Sequence, residues 1–300
     1  LGTDLIEIRM DLLESVEAAL KVLKGRTADV IATCRRAAEG GGFRGEESLR
    51  RRLLEGMVRS GAGWVDLEPD VLGWRPRGAK LIGSIHDREG IPSEAAVRSL
   101  LAKGGVEVVK AVGTPRSRRE AKALMDLNAL APGRVAAFGM GPRGVPTRIL
   151  AGRAGSWGVY AAPDFGPGAA PGQIPVSELL FAYRFREIGP RTLLYGLLGS
   201  PVDRSPGPWA HTAALRASGA DAVYLPLDAL DAADARWALA GFSLEGASVT
   251  RPFKEALLSF PETLEEEAKK AGALNTLFRS SDQSEKRKAG WTGTNTDTAG

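Results

Sequence analysis

Short apolar runs alternate with amphipathic stretches along most of the chain. In the first half, Asp4–Arg9, Val30–Thr33, Trp64–Leu67, Lys80–Ser84, Val106–Ala111, Val135–Gly139 and Gly158–Ala161 read as strands. Between them, "EESLRRRLLEGMVRSG" and "PSEAAVRSLLAKGG" place apolar residues three and four apart, the spacing of a helix with one buried face. Such alternation predicts parallel strands joined by helical crossovers. Seven strands fall one short of a closed (β/α)8 barrel of TIM type. The chain opens on a strand, so the expectation is an α/β barrel whose first strand is missing from this sequence. "FGPGAAPGQIP" reads as a loop, and "VSELLFAYRFREIG" as a helix ended at Pro190.

The alternation restarts near Leu193 with strand "TLLYGLLG", helix "PWAHTAALRASG", strand "AVYLPLD", helix "DAADARWALAG", strand "GASVT" and helix "FKEALLSF". This block is too short for a barrel and predicts a small open α/β domain. The boundaries drawn are 1–188 and 192–300. Both ends of the sequence are abrupt, and the chain is read as part of a longer protein.

Composition narrows the function classes. Hydrophobic residues make up 43% and charged residues 25% of the 300, which suits a globular chain with a substantial core. The net charge of +4 is scattered, and the dense runs "RSRRE" and "LRRRLL" have helical periodicity without interleaved aromatics. They read as solvated helix faces rather than a nucleic-acid footprint. A single cysteine, Cys34, excludes an internal disulfide and fits a reducing compartment, the cytoplasm. No run approaches the ~18 apolar residues of a membrane span, and no leader is visible. The pattern dictates no oligomeric state.

In the first block, isolated polar residues gather at strand ends. Glu7 and Arg9 end the first strand, Arg35 and Glu39 follow the second, and Glu68 ends "VDLE". His86 follows "LIGSI", and Lys110 closes the apolar run "VEVVK". Arg148 and Gln173 lie in later loops. In a parallel barrel this rim is where catalytic groups converge. A lysine among apolar walls and arginines is expected to lose its charge easily, because desolvation and like charge both disfavour the ammonium. A neutral amine attacks a ketone to give an imine, and the protonated imine makes a proton on the neighbouring carbon acidic. His86 has the chemistry to remove that proton. Arg148 and Arg9 suit a substrate carboxylate. The residues therefore read as imine-assisted proton abstraction on a small anionic keto compound. A snorkelling Lys110 and a structural His86 are the plainer alternatives.

The motifs "EIRMD", "TCRRAAEGG", "VDLE", "GSIHD", "VVKAV", "RGVPTRIL" and "APGQIP" stand in the order of type I 3-dehydroquinate dehydratase, and Leu1–Ile188 resembles that family. The resemblance implies a TIM barrel that forms a lysine imine with 3-dehydroquinate and eliminates water to give 3-dehydroshikimate, without a cofactor. It implies that Lys110 is the imine lysine, His86 the general base and then acid, and Glu39 the carboxylate that orients His86. Glu7, Arg9, Arg35, Arg148 and Gln173 match its substrate-binding positions. Ala169 departs from the serine common there, removing one hydrogen bond to substrate.

In the second block, "GSPVDRSPGPWAH", "GASVTRPFKEALL", "GALNT" and "GTNTD" resemble the substrate-binding half of shikimate dehydrogenase. From the residues alone, Lys254 beside a Pro-Phe turn is equally an ordinary surface lysine. The resemblance implies a catalytic pair, Lys254 and Asp297, with Ser205, Ser248, Thr250 and Asn275 lining a dehydroshikimate site. It also implies NADP in the full-length protein. Ser248 replaces the usual Asn, Gly207 a second serine, Arg204 a His and Thr298 a Gly.

The expected protein is thus a fused shikimate-pathway enzyme whose substrates are small molecules. Its rivals are another imine-forming barrel, of class I aldolase type, and a catalytically idle metabolite-binding module. "GMGPRG" (Gly139–Gly144) mimics a dinucleotide fingerprint with Asp164 downstream, but Pro142 and Pro146 remove amide donors at the helix start. His211 reads as structural, and no cluster has metal-ligand spacing.

Overall fold

The structure, a computed structural model, describes residues 3–15, 23, 28–166, 168–202, 205–279 and 290–298. Its first sheet holds six parallel strands in sequence order: β1 (Leu5–Arg9), β2 (Asp29–Thr33), β3 (Trp64–Leu67), β4 (Lys80–Asp87), β5 (Val108–Gly113) and β6 (Val135–Gly139). Parallel neighbours need crossovers. These include α1 (Glu47–Arg59), α2 (Glu94–Leu101) and α3 (Arg118–Asp126), with α4 (Val145–Ile149) after β6. Ser93 and Ser117 start α2 and α3 by accepting the amides of Ala96 and Glu120.

Period-two alternation sorts each strand into two buried faces, as a parallel sheet covered on both sides requires. Val30, Ala32, Val65, Leu81, Val109, Ala111 and Val135 pack outward with Leu54, Met57, Val97 and Leu124 of the helices. Ile31, Trp64, Ile82 and Val108 point inward with Leu5, Trp157 and Tyr160. The sheet is strongly curled. In a flat sheet β1 and β5 would stand four strand spacings apart, about 19 Å, yet Lys110 Nζ on β5 lies 3.2 Å from Glu7 Oε1 on β1. The inward face is therefore the interior of a TIM-type barrel.

The segment expected as a seventh strand, 158–161, forms no ladder. Trp157 N donates to Val135 O at 2.7 Å, but the carbonyls that a strand would offer are taken by side chains. Ser156 Oγ donates to Gly158 O, and Arg148 Nη1 to Tyr160 O, both at 2.8 Å. The basic runs also differ from the expectation of solvated faces. Arg50 and Arg118 are each 0% exposed: Arg50 Nε donates to Cys34 O at 2.6 Å and its Nη2 to Glu68, while Arg118 Nη2 donates to Arg143 O and its Nε and Nη1 are buried without a partner. The stretch after the Gly/Pro loop is a π-helical turn, Glu178–Ala182, followed by a 3-10 turn, Phe185–Glu187, rather than one regular helix.

The second half runs β7 (Leu193–Gly199), α5 (Gly207–Ala217), β8 (Ala222–Asp228), α6 (Ala232–Gly241), β9 (Gly246–Val249), α7 (Phe253–Ala256), β10 (Thr263–Leu264), α8 (Glu266–Ala271), β11 (Thr276–Arg279) and β12 (Trp291–Thr294). They form an open mixed sheet in the order β10-β12-β11-β9-β7-β8. β7 pairs parallel with β8 and β9, while β11 is antiparallel to β9 and β12. One hydrophobic core crosses between the halves: Ala121, Met125, Ile149 and Leu179 pack with Leu225, Ala235, Leu239 and Phe242. Polar groups fix the same joint, since Asp234 on α6 accepts the Arg118 amide at the start of α3 at 2.8 Å.

Candidate active site

Inward positions of successive strands stack polar groups above the apolar floor. Glu7, Thr33, Asp66, Ser84 and Lys110 form one such group. Lys110, 6% exposed, donates to Glu7 Oε1 at 3.2 Å and Asp66 Oδ2 at 3.1 Å. Thr33 Oγ1 also donates to Glu7, at 2.9 Å. Lys110 therefore does not snorkel outward. Its immediate partners are two carboxylates, not the arginines that the sequence led one to expect.

Asp66 is the residue that sequence reasoning missed. It is fully buried and accepts from Arg35 Nη2 at 2.6 Å, Ser84 Oγ at 2.5 Å and Lys110. Burial alone would raise its pKa, but the Arg35 and Lys110 cations outweigh that and hold it far below the usual carboxylate range. The signal was present in "WVDLE": Trp64, Asp66 and Glu68 share the inward face. Glu68 is not a free rim group either. It receives Arg35 Nη1 at 2.8 Å and Arg50 from behind.

His86 lies within β4, not beyond it. It sits two residues above Ser84, whose Cα partner across the ladder is Lys110, so imidazole and amine rise from one face of neighbouring strands. Burial pushes the His86 pKa down to about 2. Arg35 and Lys110 push the same way, and Asp66 opposes them only in part. The imidazole is therefore neutral, and its Nδ1 is buried without a hydrogen-bond partner. Glu39, expected to orient it, lines the same cavity but makes no hydrogen bond to it.

That cavity has a volume of about 140 Å³ and also meets Arg9, Arg148, Ala169 and Gln173. The three arginines expected from the sequence differ. Arg9 is held by Asp11 through two bonds of 2.9 and 2.7 Å, and Arg35 is committed to Asp66 and Glu68. Arg148 is 1% exposed and has only backbone acceptors, Gly139 O at 2.9 Å and Tyr160 O at 2.8 Å. Desolvation pushes its pKa down to about 9. A buried cation whose acceptors are backbone carbonyls is costly and suits an anionic ligand. Gln173 Oε1 accepts the Ala170 amide at 3.1 Å. Tyr160, also missed from sequence, lies beneath Lys110.

The second half gathers another set. Lys254 Nζ lies 2.5 Å from Asp297 Oδ2. That bond, then Asn275, holds the Asp297 carboxyl below its ordinary pKa. Asn275 Nδ2 donates to Thr296 Oγ1 at 2.9 Å, and Asn295 Oδ1 accepts the Asp297 amide at 3.0 Å, which fixes the turn carrying Asp297. Ser248 Oγ receives the Tyr224 hydroxyl at 2.6 Å. Thr250 follows β9, and its amide donates to Leu198 O at 2.8 Å. Ser205 Oγ accepts the Gly207 amide at 3.2 Å and lines a cavity of about 560 Å³ between the halves. Ser205 is thus not drawn to Lys254 by any bond. Arg204 lies outside the described residues, as does the side chain of Thr298. His211 stacks on Tyr224 with centroids 4.6 Å apart.

The glycine loop after β6 offers no dinucleotide cradle. A Cβ on Gly139 would fall 2.5 Å from Gly144 Cα, so these glycines allow the loop to pack on itself. Asp164 accepts the Ser177 amide at 2.9 Å. Among the described residues, no cluster could hold a metal ion and no helix is long and apolar enough to cross a membrane.

Comparison with known proteins agrees with both halves. Residues 1–190 match the family Type I 3-dehydroquinase, and residues 197–277 match the Shikimate dehydrogenase substrate binding domain. The chain is 31% identical over 293 residues to the bifunctional 3-dehydroquinate dehydratase/shikimate dehydrogenase of Arabidopsis thaliana, covering 93% of this chain and 49% of that protein. It is 33% identical over 193 residues to a 3-dehydroquinate dehydratase of Dehalococcoides mccartyi, covering 61% of this chain and 86% of that relative. The solved dehydroquinate dehydratase and shikimate dehydrogenase of S. pombe AroM superposes with a TM-score of 0.52 at 26% identity, over 99% of this chain and 60% of that one. The chain thus spans about half the length of its Arabidopsis relative. It belongs to the type I 3-dehydroquinase family and carries, behind that barrel, a shikimate dehydrogenase substrate-binding domain.

Proposed function

We propose that the barrel dehydrates 3-dehydroquinate to 3-dehydroshikimate through an imine on Lys110. The observation that carries this is the buried Lys110 amine in one pocket with a neutral imidazole, His86, and an unpaired cation, Arg148. Arg148 takes the substrate carboxylate, with Gln173 and Arg9 at the rim. Glu7 and Arg35 hold the site's shape and charge around the substrate hydroxyls. Lys110 passes one ammonium proton to the neighbouring Glu7 carboxylate, and the freed nitrogen lone pair adds to the ketone carbon. The resulting carbinolamine takes up a proton and loses water, which leaves a protonated imine. His86 removes a proton from the adjacent carbon, and the electron pair moves to the imine nitrogen as an enamine. The enamine then expels the hydroxyl at the next carbon, and the imidazolium supplies the proton that makes it water. Hydrolysis of the imine frees product and Lys110. Glu39 orients His86 once substrate draws the two together.

The second half binds the product. Lys254, paired with Asp297, stands ready to give a proton to a carbonyl oxygen, in a site also bounded by Ser205, Ser248, Thr250 and Asn275. Reduction needs a hydride, supplied by NADP in the full-length protein. The described residues do not fit that cofactor, so its binding is assigned elsewhere. Domain limits of 1–188 and 192–300 accompany this reading. So do small-molecule substrates, without nucleic acid or membrane partners, and a reducing home such as the cytoplasm, consistent with the lone buried thiol Cys34. Incubation with 3-dehydroquinate tests it: an absorbing conjugated enone must form, and Lys110→Ala must abolish it. Carbon–carbon cleavage, or binding without turnover, would replace this reading with the aldolase or the idle module.

A further inference from the structure

Tyr160 belongs to no strand, yet its ring lies under the amine. Lys110 Nζ is 3.8 Å from the ring centroid. The ring packs against Phe138, with centroids 5.5 Å apart, and the Arg148 guanidinium lies over Phe138 at 4.6 Å. Two aromatic faces thus form a floor under two of the pocket's cations, Lys110 and Arg148. The Tyr160 hydroxyl is buried and has no hydrogen-bond partner, so the oxygen is not what holds the ring in place. Burial, with Glu7 and Asp66 nearby, raises its pKa, so the phenol stays neutral.

The reaction changes what the nitrogen can offer. As an ammonium it has three N–H groups, and it spends two on Glu7 and Asp66. As a protonated imine it has one, so at most one of those bonds survives while the positive charge remains. An aromatic face needs no N–H to interact with a cation. We propose that Tyr160 is a positioning residue whose ring face carries the positive charge on the Lys110 nitrogen from ammonium through protonated imine, keeping the imine an effective electron sink. This rests on the imine reading above and adds a residue that the reading does not use.

The test replaces Tyr160 with phenylalanine, then with phenylalanines bearing one, two and three ring fluorines, which drain the face of negative charge at nearly constant volume. Tyr160→Leu is a further variant. The readouts are kcat and KM with 3-dehydroquinate, and borohydride trapping with peptide mass mapping. The phenylalanine variant is expected within about threefold of the parent, because the unpartnered hydroxyl contributes little. Log kcat should then fall steadily with fluorine number, by about 3- to 30-fold in total, with a smaller change in KM. Tyr160→Leu should fall into the same range. A flat fluorine series, or loss confined to KM, overturns the proposal. The series stands even where the leucine variant fails to fold. Trapping separates the two ideas: no Lys110 adduct in the parent defeats the imine reading, whereas an adduct with a flat series defeats only the role of Tyr160.

Discussion

The pKa of His86 makes the sharpest physical prediction, because a neutral imidazole is a requirement of the mechanism and also a liability in acid. The folded value of about 2 lies far below the 6.5 of a free imidazole. On acidification below pH 6.5 the unfolded chain takes up a proton that the folded chain refuses. Stability is therefore fully retained above pH 6.5 and declines as pH falls toward 2. Between pH 8 and pH 5 the loss from this one group is about 2 kcal/mol, since each pH unit below 6.5 contributes about 1.4 kcal/mol. His86→Gln removes the liability. Urea unfolding of both chains across that range should show the stability of the parent, relative to the variant, dropping by about 2 kcal/mol. NMR offers a direct check, because the chain has only two histidines and the variant assigns their imidazole signals. The His86 signal should stay unmoved down to pH 5. A midpoint near 6.5, together with a stability difference that does not change with pH, would refute the reasoning.

Arg148→Met removes both a carboxylate anchor and an uncompensated buried charge. Thus kcat/KM should fall on the order of 100-fold, while the melting temperature holds or rises. Asp66→Asn strips a buried anion from Arg35 and Lys110 and should cost about 3 kcal/mol in denaturant unfolding; an unchanged midpoint would show that Glu68 suffices for Arg35. Gly207→Ser places a Cβ 3.2 Å from Ser205 Oγ, tight but tolerable with a small shift. It should strengthen shikimate binding by up to about tenfold in calorimetry, and unaltered binding would remove this loop from the site.

The fold class was legible because period two and period 3.6 alternate cleanly along the chain. The six barrel strands fall where the apolar runs stand. Residues 158–161 misled because an apolar run cannot show that side chains will claim its carbonyls. Arg50 and Arg118 misled for a related reason. Helical periodicity located them on helices, but only the fold brings Cys34 O, Glu68 and Arg143 O to meet them. In the site, polar residues at strand ends were visible as exceptions to the pattern. Asp66 was marked only by its alternation with Trp64 and Glu68, and a carboxylate between Val65 and Leu67 gains its meaning only when the curled sheet brings β1, β3 and β5 together. The pairing of Glu39 with His86 came from the family resemblance alone; the two line one cavity without a hydrogen bond between them.

The most direct measurement is borohydride reduction in the presence of 3-dehydroquinate, followed by mass mapping of the peptides. The account predicts one substrate-derived adduct per chain, on Lys110. Label on another lysine, or turnover without any trapped adduct, would contradict it.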